Sequence, residues 1–316
     1  MIKKLAYRKL AITTLALIIV GMLYFFPNNS SIKYKQIIRY YDESNLKSVY
    51  LMDKYNYVSK LKVPINQTEL LEMIKEKINY LIIGNDSKLN IPEGFRGIIP
   101  SDTKILDLNL ENDILTINFS KEILSVNEKD EEHMIEAIVF TITEFEKISK
   151  VRIYVEGKAL TELPISKKKI PELLDRNFGI NKIYDFKSLN DLTQTIVYYV
   201  NVINDETYYT PVTKVDNDTR DKVTLVIEEL KSNIIYQTNL SSYLSEAAVL
   251  DKYEVEGDKI ILLFNDKIYD QNSNSILEEV EYTISMSLMD NLGVKEVVFR
   301  VNDEKKDVSV IKTLEN

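Results

Sequence analysis

The sequence predicts an α+β protein: an N-terminal transmembrane helix followed by two tandem small α/β-sandwich domains. The first observation is a doubled pattern. Leu115-Thr-Ile-Asn-Phe-Ser-Lys-Glu-Ile, Ile138-Val-Phe-Thr-Ile and Lys150-Val-Arg-Ile-Tyr-Val are matched in order by Ile260-Ile-Leu-Leu-Phe-Asn-Asp-Lys-Ile, Glu281-Tyr-Thr-Ile and Glu296-Val-Val-Phe-Arg-Val. Phe119 then corresponds to Phe264, Thr141 to Thr283 and Val151 to Val297, at offsets of 145, 142 and 146 residues. Such spacing is that of a duplicated domain of ordinary size. No polar cluster is evident that the two copies share, a pattern of domains that present surfaces rather than house chemistry.

The second observation is an apolar run over residues 10–26, broken only by Thr13, Thr14 and Gly21. At 1.5 Å per residue it spans roughly 26 Å, close to a hydrocarbon core. Lys3, Lys4, Arg8 and Lys9 precede it, so the positive-inside rule places the N-terminus in the cytoplasm and the bulk outside. The run ends Tyr24-Phe-Phe-Pro-Asn without a small-x-small cleavage step, which favours a retained anchor over a cleaved signal peptide. Cysteine is absent, which excludes a lipid-anchored lipoprotein and any disulfide.

Composition is that of a folded ectodomain: 45% hydrophobic and 28% charged. The net charge is −9, and the leader carries four basic residues and no acid, so the remainder stands at −13 from 36 basic and 49 acidic residues. A surface that acidic repels phosphate backbones, and nucleic-acid binding is excluded.

The expected division is leader and anchor 1–27, stalk 28–47, first domain 48–164, linker 165–192 and second domain 193–312. Each domain opens with a hairpin rich in Val and Tyr, Val49 to Val63 turning at Asp53-Lys-Tyr-Asn, and Thr195 to Val215 turning at Asn204-Asp-Glu. A helix follows. Asn66 with Glu69 has capping-box spacing before Leu70, Ile74, Ile78 and Leu81; Asp218 caps Val223, Ile227, Leu230 and Ile234. A second hairpin turns at Asn112-Asp113 or Gly257-Asp258. The second helix buries Met134, Ile138, Ile142 and Phe145, or Ile276, Val280, Ile284 and Leu288, and a last strand closes each unit at Val151–Val155 or Val297–Val301. Helices are thus expected on one face of a small sheet. In the linker, Ser166-Lys-Lys-Lys is a solvated run, and Pro171 to Gly179 reads as a short helix.

Candidates for chemistry are few. His133 is the single histidine, so any Ser-His-Asp arrangement must use it; it is expected to be an exposed helix-start residue. Zinc is disfavoured, since one histidine without cysteine supplies too few ligands. Glu128-Lys-Asp-Glu-Glu132 and Asp216-Asn-Asp218 lack EF-hand spacing and read as acids at helix starts. A glycoside hydrolase needs facing carboxylates in an aromatic-lined cleft, and the chain has no Trp. No Gly-x-Ser-x-Gly, P-loop or dinucleotide fingerprint occurs. The expected catalytic, cofactor and metal residues are therefore none.

Asp102-Thr-Lys-Ile-Leu, Leu115-Thr-Ile-Asn-Phe-Ser-Lys-Glu, Glu136-Ala-Ile-Val-Phe-Thr-Ile-Thr-Glu-Phe and Val151-Arg-Ile-Tyr-Val-Glu-Gly-Lys together resemble a GerMN domain of the sporulation and spore germination family. Val197-Tyr-Tyr-Val, Thr210-Pro-Val-Thr-Lys, Glu256-Gly-Asp-Lys-Ile and Tyr282-Thr-Ile extend the resemblance to the second copy, over about residues 48–310. The second copy departs where Thr-Glu-Phe becomes Ser285-Met-Ser and Glu-Gly-Lys becomes Asn302-Asp-Glu. The resemblance implies domains like the ring-building motifs of secretion-type assemblies. It also implies a non-enzymatic envelope protein in the complex between mother cell and forespore, with no catalytic residues. Its expected partners are envelope proteins of that complex, or further copies of itself in an oligomer. The alternative class is an envelope hydrolase or polysaccharide-binding protein with a carboxylate cleft.

Overall fold

The computed structural model describes residues 37–40, 46–85, 89, 91–232, 238–303 and 305–313. The expected anchor at 10–26 lies outside them; among the described residues no helix is long and apolar enough to cross a membrane. Strand β1 (Ile37–Tyr40) comes first. The first copy runs β2 (Leu46–Asp53), β3 (Val58–Pro64), α1 (Leu70–Leu81), β4 (Phe95–Arg96), β5 (Ile105–Glu111), β6 (Ile114–Phe119), α2 (Glu131–Ile142), β7 (Lys150–Val155) and β8 (Lys158–Ala159). After β9 (Ile183–Asp185), the second copy runs β10 (Thr193–Ile203), β11 (Glu206–Asp216), α3 (Lys222–Lys231), β12 (Leu240–Ser241), β13 (Leu250–Glu256), β14 (Lys259–Phe264), α4 (Glu278–Leu292), β15 (Glu296–Val301) and β16 (Asp307–Lys312).

The turns explain the hairpins. Asn204 and Asp205 both take positive φ between β10 and β11, as a two-residue hairpin turn of the right twist requires. The wider β2–β3 turn is held by Asp53, whose Oδ1 accepts from the amides of Tyr55 and Tyr57 at 2.8 and 2.9 Å.

One central sheet serves both copies, in the order β12-β10-β11-β3-β2-β4, with β9 also on β11. The order is symmetric about its middle: β12 answers β4, β10 answers β2, and β11 answers β3. At the centre, β3 and β11 pair antiparallel with Lys60 opposite Tyr209. One step along that ladder, Ser59 Oγ and Thr210 Oγ1 lie 2.5 Å apart, each the counterpart of the other in its hairpin. Asp53 and Asn201, also counterparts, meet beside them, Asn201 Nδ2 donating to Asp53 Oδ2 at 2.7 Å. The two copies are therefore related by an approximate two-fold axis through the sheet.

The outer edges of this sheet are closed by helices. Thr141 Oγ1 on α2 accepts from the Tyr50 amide at 3.0 Å, and Ser287 Oγ on α4 accepts from the Tyr198 amide at 2.8 Å. Asn291 adds bonds to both the amide and the carbonyl of Ile196. Thr141 therefore corresponds to Ser287, one helical turn beyond the expected Thr283, at the same offset of 146 that relates Val151 to Val297. Two smaller sheets, β5-β6-β7-β8 and β1-β16-β15-β14-β13, lie on the far side of the helices. Because α2 packs on β2 and β3 and also on β7, ten of its twelve residues are buried. The expectation of helices on one face of one sheet is thus corrected: the second helix of each copy lies between two sheets. A single stripe was the wrong pattern to seek there.

Other expectations change. Residues 37–316 cluster as one compact unit, in which the edge strand left by each hairpin is paired with its counterpart. The apolar core of the first copy continues into Ile196, Tyr198 and Met286 of the second. Helix α1 starts after Glu69 with no side-chain cap; Asn66 instead bonds Glu76 through its amide and side chain. Helix α3 is capped by Asp221, which accepts from the Thr224 amide, while Asp218 is held by Arg220. The expected linker helix shrinks to one 3₁₀ turn, Arg176–Phe178, since Leu174 is extended and exchanges both backbone bonds with Val151. Part of the stalk, β1, pairs parallel with β16, a strand not anticipated from the sequence.

Thermal unfolding of the full chain should follow one transition for the two copies, because they share a sheet and the core of the first takes in side chains of the second. Two resolved calorimetric transitions would contradict this. Phe119→Ala, at a fully buried position, should cost about 3–5 kcal/mol in urea unfolding.

Candidate functional site at the junction of the two copies

The helix faces that close the sheet edges also bring polar groups to the axis. Tyr50 and Tyr198, counterparts on β2 and β10, are fully buried, and their hydroxyls meet at 3.0 Å. Each also donates to a carboxylate: Tyr50 to Glu144 and Tyr198 to Asp290, both at 2.8 Å. Glu144 lies just after α2 and Asp290 on α4, again 146 residues apart. The duplicated pattern therefore does carry a shared polar cluster, a tyrosine–carboxylate pair in each copy.

Arg176 binds both. Its guanidinium reaches Glu144 Oε1 at 2.5 Å and Asp290 Oδ2 at 3.4 Å, and lies 4.6 Å from the Phe140 ring centre. Lys60, from β3, adds an ion pair to Glu144 at 2.9 Å. The 3₁₀ turn that carries Arg176 ends at Gly179, whose φ of 79° suits a residue without a side chain.

These contacts set the charge states. Burial alone would raise the Glu144 carboxyl, but Lys60 and Arg176 outweigh it and hold it far below the usual range. Burial would discharge Arg176, yet the carboxylates of Asp290 and Glu144 keep its guanidinium charged. Burial and the adjacent carboxylates push both tyrosine hydroxyls well up. The carboxylate stays ionised and the phenols stay protonated near neutral pH. Such groups join surfaces; they are poorly matched to proton transfer.

A cleft of about 370 Å³ opens on this cluster, walled by Lys60, Glu144 and Arg176 on one side and Met286, Asp290 and Lys295 on the other. Lys295 crosses its mouth to Glu146 at 2.8 Å. A second hollow of about 440 Å³ lies beside it over Leu70, Met73 and Phe145.

The connector supplies a second clamp. Asn181 is buried with φ 48°; its side chain takes the Val58 amide and donates to the carbonyls of Val58 and Pro211, so one residue pins β3 and β11 together. Its own amide donates to Glu136 Oε2. Glu136 is buried and also receives Lys182 at 2.6 Å and His133 Nδ1 at 2.8 Å. His133 is accordingly half-buried and ion-paired, against the expectation of an exposed residue. Its ring is drawn in because Glu136 lies one turn along α2. Burial would lower its pKa, but the hydrogen bond and charge of Glu136 raise it.

The first acidic run does start a helix, with Asp130 at the N-cap position of α2 and Glu131 and Glu132 in its first turn, although Asp130 makes no side-chain cap bond. Glu131 accepts from the amides of Ile165 and Ser166, and Glu132 pairs with Lys168 and Lys182, so this run holds the connector. Glu128 is exposed. Asp216 receives Thr193 and Asp218 pairs with Arg220. No group of three or more His, Cys, Asp or Glu among the described residues is placed to hold a metal ion. Tyr50, Glu144, Arg176, Tyr198 and Asp290 escaped sequence reasoning. The recurrence of Tyr and of an acid at matched positions was the signal that could have found four of them.

Arg176→Met should destabilise the chain by about 3–5 kcal/mol at pH 7, since it strands buried acids. That deficit should shrink in acid, where Glu144 without its guanidinium takes up a proton; an equal deficit at pH 4 and 7 would refute the assignment. His133 has a raised folded-state pKa, so its stabilising effect is complete below about pH 6.5 and fades as pH rises through the folded value. The difference in urea midpoint between the parent and His133→Ala should therefore narrow from pH 6 to pH 9.

Comparison with known proteins agrees with this architecture. Residues 48–161 match the Germane family, described as sporulation and spore germination. The chain is 31% identical over 273 residues to the spore germination protein GerM of Bacillus subtilis strain 168, covering 84% of this chain and 73% of that one. The solved tandem GerMN domains of the sporulation protein GerM from Bacillus subtilis superpose with a TM-score of 0.77 at 27% identity, covering 85% of this chain and 96% of that one. With its two sandwiches joined on one sheet and its relationship to GerM spanning both copies, the chain belongs to the Germane family of sporulation and spore germination proteins.

Proposed function

We propose that the protein is a non-enzymatic scaffold, anchored by residues 10–26 in a bacterial membrane with its N-terminus in the cytoplasm. Its duplicated body stands outside and joins other envelope proteins in a complex between mother cell and forespore. The observation that carries this reading is the junction itself. Buried tyrosines, carboxylates and Arg176 are spent on one another, which makes two small domains one stiff part whose sheets end, among the described residues, in strands with one neighbour. A stiff part with open edges suits assembly. The hydrolase alternative loses support at the same place. A catalytic acid needs a raised pKa, and the Glu144 carboxyl is shifted the opposite way.

The test is in-cell photocrosslinking of the full-length protein during sporulation, with reactive residues placed in turn at exposed positions on β5, β9 and β13. Adducts to envelope proteins are expected from at least one edge. Recovery of unmodified monomer from every position would sink the scaffold reading.

A further inference from the structure

Strand β9 carries a surface that neither the junction nor the outer sheets use. It lies parallel to β11, with Ile183, Tyr184 and Asp185 opposite Lys214, Val215 and Asp216. A strand bonds one neighbour through alternate residues, which leaves the groups on its other flank open. Among the described residues, no backbone hydrogen bond outside that ladder reaches any of the three. All three side chains are exposed.

The chain then builds an apolar ridge. Tyr184 is 57% exposed and Leu189 78%, with Ile183, Phe186 and Leu192 exposed between and beside them. So many large apolar side chains within ten residues form a patch of the kind that marks a binding surface. The ridge is also braced. Asn217 accepts from the amides of Lys187 and Ser188 and donates to the carbonyls of Ser188 and Asn190, four bonds from one side chain. The Tyr184 and Phe186 rings stand edge to face, 6.1 Å between centres. A pre-shaped apolar ridge loses little entropy on binding.

We propose that the open flank of β9, with the ridge that follows it, is a docking edge for an extended basic strand of another envelope protein. This rests on the scaffold reading and names the surface it uses. The occupant follows from continuity and charge. A strand added to β9 prolongs the same sheet that already joins the two copies, with backbone bonds giving affinity and apolar side chains meeting the ridge. The local charge is acidic: Asp185 joins Asp216 and Glu229 around Lys214, Asp191 follows, and Lys187 is the one basic residue in the ridge. A second copy of this chain brings the same acids and the same large net negative charge. An anionic lipid surface meets the same repulsion.

The experiment is amide hydrogen exchange on the full-length protein with two blocked peptides, one alternating valine with lysine and one alternating valine with glutamate. Exchange at residues 183–186 should slow by about tenfold with the basic peptide and stay unchanged with the acidic one. The double variant Tyr184→Ser, Leu189→Ser removes the apolar contacts without changing charge and should lose that protection with an unaltered melting temperature, because both side chains are exposed. Three results would overturn the proposal. These are no protection by the basic peptide, protection that grows with protein concentration alone, and protection by anionic vesicles in place of peptide. Photocrosslinking separates this from the scaffold reading. Partner adducts from β5 or β13 with none from Leu189 would remove this edge and leave the scaffold standing.

Discussion

A strand cannot be buried until the amides on both of its flanks are satisfied, and that constraint organises this molecule. Each hairpin has two flanks. The inner flanks of β3 and β11 meet at Lys60 and Tyr209 and are bridged beyond them by Asn181, and this joint brings a duplicated domain together as one body. The outer flanks are satisfied in part by β4 and β12 and otherwise by Thr141, Ser287 and Asn291, so each second helix must lie against a sheet edge with a polar face turned inward. The same helices still have to cover the smaller sheets. The burial of ten of the twelve residues of α2 and eight of the fifteen of α4, and the Thr and Ser residues among the buried positions, follow from serving both demands.

Placing the helices there brings Glu144 and Asp290 to the axis, and the tyrosines of the paired strands meet them. Two acids so close to an axis repel, and the connector answers with Arg176. A buried ion cluster of this kind adds little net stability over an apolar filling, but losing one member is costly. Its worth is therefore in specificity of arrangement: the guanidinium accepts the two copies in one relative placement. The connector that looks like a spacer in sequence is the most heavily bonded segment of the junction, through Arg176, Asn181 and Lys182.

Much of the fold was legible because local rules decide it. The Asn204-Asp205 and Gly257-Asp258 turns, the Val- and Tyr-rich hairpins and the buried Phe119 and Phe264 all follow from backbone preference and period. The junction was not legible, since its signals are long-range. Arg176 reads as one more charge in a polar linker until its two acids are brought to it. Asp218 looked like a helix cap because sequence spacing cannot tell a cap at Asp218 from one at Asp221. His133 looked exposed because helix starts usually are, and a buried acid one turn along cannot be inferred from a pattern of charges. Symmetry was the missed clue: Tyr50 with Tyr198, and Glu144 with Asp290, keep the spacing of the repeat.

The axis is only approximate, and its most telling breach is Asp53 facing Asn201. As the pair stands, an amide donates to a buried carboxylate. Were two first copies to meet through the same strands, two carboxylates would be forced together; two second copies would bring two amides and no anion. This contact therefore sets unlike copies above two first copies, whose facing buried carboxylates would repel, and it orders the pairing of the hairpins without a further residue.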